Sequence, residues 1–570
     1  MASFLEISRD NRTHSTKCGP ACGGRRTPGL ARIRTALAIG LIFVPWQALL
    51  TAEADISEAI RAELELLRES GRSSVPGSVF VAVDRMAGFY ERRAYAAAWA
   101  EPGKVDSLLR AIRESWQDGL NPADYHLQRI AQLQEDLRTG RALSVSEQGA
   151  FDLILTDGLM RLADDRRYGK LNPDTLNSVS TLVARQRGTD TPQDIEAIID
   201  AESISAGIDS VAASGADYHR LKTQLRRHRE LADAGGWPEV PAGPTIRPGV
   251  TDSRLAALAE RLSASGDLAS RHTLFAPSAY DETLQDAVRN FQARHGLETD
   301  VLVGPATLRA LNVPLAQRID QIRINLERAR WTFDLRGDDF VEVNIPGFRA
   351  SMVRDGRVLW TTKVIVGATG DETPEFRAAL KHIVFNPTWT VPFSIASEEH
   401  LPQIKRDPDF LARGHYDLFD QAGNMIDPSA VDWSGVGTRN FPFTVIQRPG
   451  PLNQLGRIKF VFPNEYAVFM HDTPARYLFD KPARAFSHGC VRVDKPMELA
   501  EILLGQDGWP RDRIQAAIDT GTTRTVVLSE SLPILLLYRT AEVDDSGTIR
   551  FYEDIYGRDR AVLEALDRPL

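Results

Sequence analysis

The spacing of apolar residues changes once along this chain, near residue 340, and the change divides it. From about 56 to 235 they recur every three or four positions, as in Leu108-Leu109-Ala111-Ile112-Trp116 and Leu153-Ile154-Leu155-Leu159-Met160-Leu162. That spacing predicts helices that each bury one face. Asn121-Pro122 after Gly119 predicts a helix start, and Asn172-Pro173 after Gly169 a break. The run Arg226-Arg227-His228-Arg229 reads as a solvated face. Glycine and proline then crowd residues 236–251, the clearest boundary in the chain. Residues 252–314 predict three short helices around a small core, and 315–339 a connecting helix.

From Phe340 onward the pattern is alternation and short β-branched runs: Val341 to Ile345, Ser351 to Val353, Thr362 to Val366, His382 to Phe385, Phe443 to Ile446 and Ile458 to Phe462. Asp355-Gly356 marks a hairpin turn between two of them. The expected architecture is multidomain α+β, with a helical scaffold, a three-helix module and a predominantly β domain at 340–530. Residues 393–451 interrupt that domain with a stretch rich in Pro, Gly and Asp, holding one helix signal at Glu398 to Ile404 and little strand pattern. An insertion of that length is expected to serve as a lid. Trp389 and Trp433 beside it either cover substrate or fill a core. Residues 531–570 read as a C-terminal extension, a hairpin around Asp545-Ser546-Gly547 packed on the β domain.

Composition narrows the function. A hydrophobic content of 43% over 570 residues is enough for several cores. A net charge of −9, with no basic stripe among aromatics, argues against nucleic acid as a partner. Arg25, Arg26, Arg32 and Arg34 precede the apolar run Ala36 to Val44, and Ala52-Glu53-Ala54 offers a small-x-small cleavage site. Residues 1–54 are therefore expected to export the chain. They do so as a cleaved signal peptide or, if the run continues to Leu50, as an inner-membrane anchor.

The chain has three cysteines, Cys18, Cys22 and Cys490, and only the last lies beyond the export segment. A lone thiol in an oxidising compartment is either inert and buried or kept for its reactivity. Its neighbours, Ser487-His488-Gly489-Cys490-Val491-Arg492, favour reactivity, because an activated thiolate needs a base and close-approaching donors. Val468-Phe469-Met470 predicts a strand that delivers His471, the preferred base, with His488 as its rival. Asp472 follows, and its backbone carbonyl or its carboxylate could fix the imidazole tautomer. The N–H groups of Gly489 and Cys490 could form an oxyanion hole, and Arg492 and Arg484 could hold a substrate carboxylate. For Arg484 a plain salt bridge is equally open. Zinc ligation by Cys490, His488, His471 and Asp472 matches no closed structural spacing and is disfavoured. Residue types and spacing thus reach as far as an exported cysteine acyl transferase or hydrolase.

His471-Asp472-Thr473-Pro474 followed by Arg484-Ala485-Phe486-Ser487-His488-Gly489-Cys490-Val491-Arg492 resembles the signature of the L,D-transpeptidases, whose catalytic domain is a YkuD-type β-sandwich. Gly119 to His126, Leu155-Thr156-Asp157 and Arg167-Tyr168-Gly169-Lys170 are similar to the scaffold domain of the large Gram-negative members, and residues 393–451 to their capping subdomain. Phe291-Gln292, Gly296-Leu297 and Gly304 to Thr307 resemble the peptidoglycan-binding domain of wall enzymes.

The resemblance implies attack by Cys490 on the third residue, diaminopimelate, of a peptidoglycan tetrapeptide, loss of terminal D-alanine, and resolution of the thioester by a second stem's diaminopimelate amine. It makes His471 the base, the Asp472 carbonyl its orienter, and His488 and Gly489 the lining of the oxyanion site. It further implies a periplasmic location, a part in cell wall biogenesis, remodelling and cell shape, acylation by carbapenems, and no cofactor or metal. Water or a lipoprotein lysine could instead resolve the same thioester, giving a carboxypeptidase, a cross-link hydrolase or an attachment enzyme. A wall-binding scaffold without activity is the alternative of another class.

Overall fold

Ser144 opens the long helix Val145–Tyr168 through a capping box with Glu147. This helix departs from the one-faced burial predicted for it, because it is enclosed on nearly every side. The polar residues on its far face make that possible by binding neighbouring loops. Asp152 accepts from the Ala98 and Trp99 N–H groups and the Tyr90 hydroxyl. Asp157 accepts from the Val81 and Ala82 N–H groups and from His126. Buried carboxylates with that many donors are tolerated, and apolar periodicity alone does not reveal them.

The computed structural model describes residues 46–569 apart from 76–77, 177–179, 182–191, 214, 270–278 and 336. It divides into two units, Met1–Thr51 and Ala52–Leu570. The expected export segment lies outside the described residues except for 46–54, which begin the helix Trp46–Ser70. No described helix is long and apolar enough to cross a membrane.

Three helices, Leu255–Ala264, Glu282–Arg294 and Pro305–Leu311, surround a core of Leu258, Leu262, Val288 and Phe291. Gln292 ties this module together: its amide donates to Asp300, the Leu302 carbonyl and Thr307, and its oxygen accepts from the Val301 N–H. The helix Leu315–Thr332 follows and shares a core with Ala216–Asp233 through Tyr218, Leu221, Ile322 and Leu326.

In the β domain the hydrogen-bonded order runs Glu375–Phe385, Ile458–Val461, Met470–His471, Val491–Val493, Arg357–Gly367, Arg349–Arg354, Phe340–Asn344 and Arg524–Leu537. The last strand pairs back onto the first, so the path closes around Val343, Phe376, Phe460, Met470, Val491 and Leu536. The predicted tail divides differently. Leu532 to Leu537 complete the long closing strand, parallel to Phe340–Asn344 and antiparallel to Glu375–Phe385. The hairpin Ala541–Val543 with Ile549–Phe551 packs its apolar face on Tyr218, Leu221 and Ile322 of the two helices named above, while its Glu542 accepts from Arg349 of the β domain at 2.7 Å. His228, expected in solvent, is buried, with its ring 5.8 Å from that of Phe551.

The insertion carries more strand than its composition suggested: Trp389–Thr390, Thr444–Gln447, Tyr416–Phe419 and Met425–Ile426 form one sheet. The π-helix Ile395–His400 continues as the α-helix Leu401–Arg406. Trp389 meets His400 and Tyr416, while Trp433 meets Phe443 and donates to the Pro428 carbonyl. Both tryptophans fill the insertion's own core.

Lys170 fastens the C-terminal helix Asp559–Asp567 to the scaffold, donating at 2.8 Å to Asp124 and to the Leu566 and Arg568 carbonyls. Lys170→Met will strand a buried carboxylate and uncap those carbonyls, costing about 3–5 kcal/mol. Urea unfolding checks this, and the double variant with Asp124→Asn must cost clearly less than the two single changes added.

Candidate active site

Parallel pairing sets Met470 opposite Val491 and His471 opposite Arg492, so Cys490, just before the second strand, lies two residues off the His471 register on the neighbouring segment. His471 is only 4% exposed, and its Nδ1 donates to the carbonyl of Asp472 at 2.5 Å. That bond places the proton on Nδ1 and makes Nε2 the nitrogen that carries the lone pair. Burial and the Arg492 charge push the imidazole down to about 3, against the opposing effect of the Asp472 carbonyl. The ring is therefore neutral at physiological pH.

Of the two orienting groups the sequence allowed at Asp472, the carbonyl makes the contact. The carboxylate turns away to accept from the Arg457 N–H at 2.9 Å and from Arg476 at 3.2 Å. Gly456, at φ +61°, brings the loop so close to this carboxylate that a Cβ there would collide with it.

The Cys490 thiol is partly exposed, yet crowded by protein atoms, with the Ala467 carbonyl 4.0 Å from Sγ. Ala467 adopts φ +54° in a turn stapled by Asn464, whose side chain donates to the Phe462 and Val468 carbonyls and accepts from the Tyr466 and Val468 N–H groups. Burial pushes the thiol up, while the Phe469 N–H, Lys459 and Arg492 pull it down.

Gly489 sits at φ +96°, in the left-handed region that glycine adopts without strain. Its carbonyl accepts from the buried Thr373 hydroxyl at 2.8 Å. A trans peptide points its C=O and N–H to opposite sides, so anchoring this carbonyl inward turns the Cys490 N–H outward. Ser487 closes the turn by donating to the Cys490 carbonyl at 2.6 Å. Thr373 is itself braced by Tyr556, whose hydroxyl accepts from the Thr373 N–H and donates to the Gly367 carbonyl. The C-terminal segment thus supports the Gly489–Cys490 turn from behind.

The remaining expected residues separate. His488 faces the insertion, where its Nε2 meets Glu399 at 2.7 Å. Burial pushes the Arg492 guanidinium down, against the opposing effect of Cys490 and Tyr477. Arg484, expected to hold a substrate carboxylate, instead donates to the backbone carbonyls of Val364, Lys481, Pro482 and Phe348. Its fork is committed to holding strands together. Among the described residues no three His, Cys, Asp or Glu side chains converge as metal ligands do.

Lys459 and Glu399 were not legible as site residues. Alternation along Ile458-Lys459-Phe460 puts Lys459 on the outer face of its strand, and only the register places it opposite His471. Its ammonium lies 3.7 Å over the Phe469 ring. Burial pulls this amine down, and the Cys490 charge raises it. Lys459→Gln will push the Cys490 thiol further up and slow alkylation at neutral pH up to about tenfold. Iodoacetamide labelling of the Cys490 peptide across pH measures it, and an unchanged profile would remove Lys459 from the site.

Comparison with known proteins agrees with this geometry. Residues 338–527 match the family described as "L,D-transpeptidase catalytic domain", 251–311 "Putative peptidoglycan binding domain", and 84–225 "Scaffold domain". A curated relative from Haemophilus influenzae, "Putative L,D-transpeptidase", is 36% identical over 242 residues. That match covers 42% of this chain and 48% of the relative, about half its length. A crystal structure of an L,D-transpeptidase from Xylanimonas cellulosilytica matches 52% of this chain and 100% of its own at 18% identity, with a TM-score of 0.17, too loose an overlap to bear on the fold. The chain therefore carries an L,D-transpeptidase catalytic domain, preceded by a scaffold domain and a peptidoglycan-binding domain.

Proposed function

We propose that the protein is a peptidoglycan L,D-transpeptidase that forms 3,3 cross-links between diaminopimelate residues on the periplasmic side of the cell, in wall biogenesis and remodelling. The observation that carries this reading is the His471 imidazole, neutral and tied through Nδ1 to the Asp472 carbonyl, on the strand that pairs with the one Cys490 leads into. His471 Nε2 takes the thiol proton as Sγ adds to the carbonyl carbon at the L-centre of the donor's diaminopimelate. The resulting oxyanion is met by the outward N–H of Cys490 beside Gly489. Collapse breaks the bond to D-alanine, whose amine leaves with the proton held by His471, and a thioester remains. The side-chain amine of a second stem's diaminopimelate attacks this thioester, the new amide forms, and the thiol regains its proton. Arg492 beside the thiol stands ready for a substrate carboxylate, and the insertion, reaching His488 through Glu399, covers the approach.

Incubation of the protein with disaccharide-tetrapeptide, followed by mass spectrometry, tests the reading. A cross-linked dimer that has lost one D-alanine supports transpeptidation. Tripeptide with free alanine would show that water resolves the thioester, making a carboxypeptidase, and no turnover would favour the wall-binding scaffold.

A further inference from the structure

A cavity of about 450 Å³ opens where the Ala216–Asp233 helix, the three-helix module and the Ala541–Phe551 hairpin meet. Four guanidiniums line it, from Arg227, Arg261, Arg294 and Arg318, against two carboxylates. Both carboxylates are engaged already. Asp267 takes both donors of Arg294, at 2.7 and 2.6 Å, and Glu230 pairs with Arg226 at 3.9 Å.

Arg261 and Arg318 have no carboxylate within salt-bridge distance among the described residues, although they are only 1% and 8% exposed; Asp267, already taken by Arg294, acts on Arg261 only from farther away. Arg261 donates through Nε to the Leu311 carbonyl and lies 3.8 Å over the Trp237 ring, while its buried Nη1 meets no acceptor among the described residues. Arg318 reaches only the neutral acceptors Gln321 and the Ala310 carbonyl, and lies 4.6 Å over the Phe551 ring. Burial and the neighbouring Arg294 charge push both guanidiniums down to about 9, Arg261 adding to the effect on Arg318 and Asp267 opposing it at Arg261. Buried cations without counter-charge are costly, and a planar guanidinium fork matches a carboxylate or phosphate edge to edge.

We infer that this cavity binds a small molecule bearing two or more anionic groups, carboxylates or phosphates, that supplies the counter-charge Arg261 and Arg318 lack. Aromatic rings orient the two forks, Arg227 reaches across Gly266 at the rim, and the volume suits a ligand the size of a short peptide or a small polyphosphate. The inference does not rest on the transpeptidase reading, since no residue of the catalytic turn takes part.

Calorimetric titration of full-length Cys490→Ala protein with inorganic pyrophosphate and with disaccharide-tetrapeptide tests it, each at up to about 1 mM. Binding of pyrophosphate alone identifies a phosphate ligand, binding of the tetrapeptide alone a carboxylate ligand, and both a general di-anion site. Arg318→Gln and Arg261→Gln should each weaken that binding at least about tenfold, and Arg227→Gln a few-fold. Arg227 is exposed, so its variant keeps the test decisive if a buried substitution fails to fold. Tetrapeptide held at the catalytic cleft is untouched by these changes, so differences between proteins report the cavity. Binding of neither anion, or binding unchanged in Arg318→Gln and Arg227→Gln, overturns the inference.

Discussion

Cys490→Ser will leave the fold intact and lower acyl-enzyme formation on the order of 10⁴-fold or more. A serine hydroxyl at this position meets the same Ala467 carbonyl and the same cations, but a hydroxyl gives up its proton far less readily than a thiol and is the weaker nucleophile. Stability should move by less than about 0.5 kcal/mol, because the side chain is partly exposed and fills no core. Intact-mass measurement after exposure to a carbapenem reads the outcome: wild type gains the mass of one acyl group on the Cys490 peptide, and Cys490→Ser gains none. The other two cysteines, Cys18 and Cys22, offer no substitute, since they lie far back in the sequence, before the expected cleavage site. His488→Ala is the informative control. With its Nε2 turned to Glu399, it should slow acylation by less than about tenfold, as expected for a residue that lines the site without taking the proton. Acylation of the serine variant, or a loss in His488→Ala as deep as in Cys490→Ser, would contradict these assignments.

Local chemistry in the sequence was enough to single out Cys490, His471 and the glycine turn as candidates, because each belongs to one short segment. The same holds for the helical first half, the three-helix module and the β domain, whose periods differ enough to be told apart. What stayed hidden depends on pairing between distant segments. Lys459 looks like any outward lysine until Lys459 is set opposite His471. Asp152 and Asp157 look like the solvent face of a helix until the loops at Ala98 and Val81 are laid against them. Leu532 to Leu537 resemble an appended strand, and only their double pairing shows that they close the sheet. Arg484 is the opposite case: a charge next to the catalytic motif suggests a ligand, and four backbone carbonyls claim it first. The C-terminal extension gains a task in the same way, since Tyr556 braces Thr373, which fixes the Gly489 carbonyl.

His471→Asn will slow acylation by about 10²–10⁴-fold, and the pH dependence will say why. With the imidazole pushed down to about 3 and burial holding the thiol up, the resting pair at neutral pH is an uncharged thiol beside an uncharged base. The acylation rate should therefore climb with the thiol's own titration above neutrality and show no step near 6.5, where an unperturbed histidine would lose its proton. Stability carries the same signature. In the unfolded chain this histidine binds a proton below about 6.5, whereas in the folded protein it refuses one until about pH 3. Its contribution is thus constant above about 6.5 and is lost as pH falls from there to about 3, at up to about 1.4 kcal/mol per unit. His471→Asn removes that loss, so between pH 7.5 and pH 5 the wild type should lose about 2 kcal/mol more than the variant in urea unfolding. His228, held down to about 4 by burial, and His295 add acid sensitivity to both proteins equally and cancel in the comparison. Equal acid sensitivity in the two proteins, or a rate step near 6.5 in the wild type, would mean that His471 is protonated at rest and that the site works instead through a preformed thiolate and imidazolium pair.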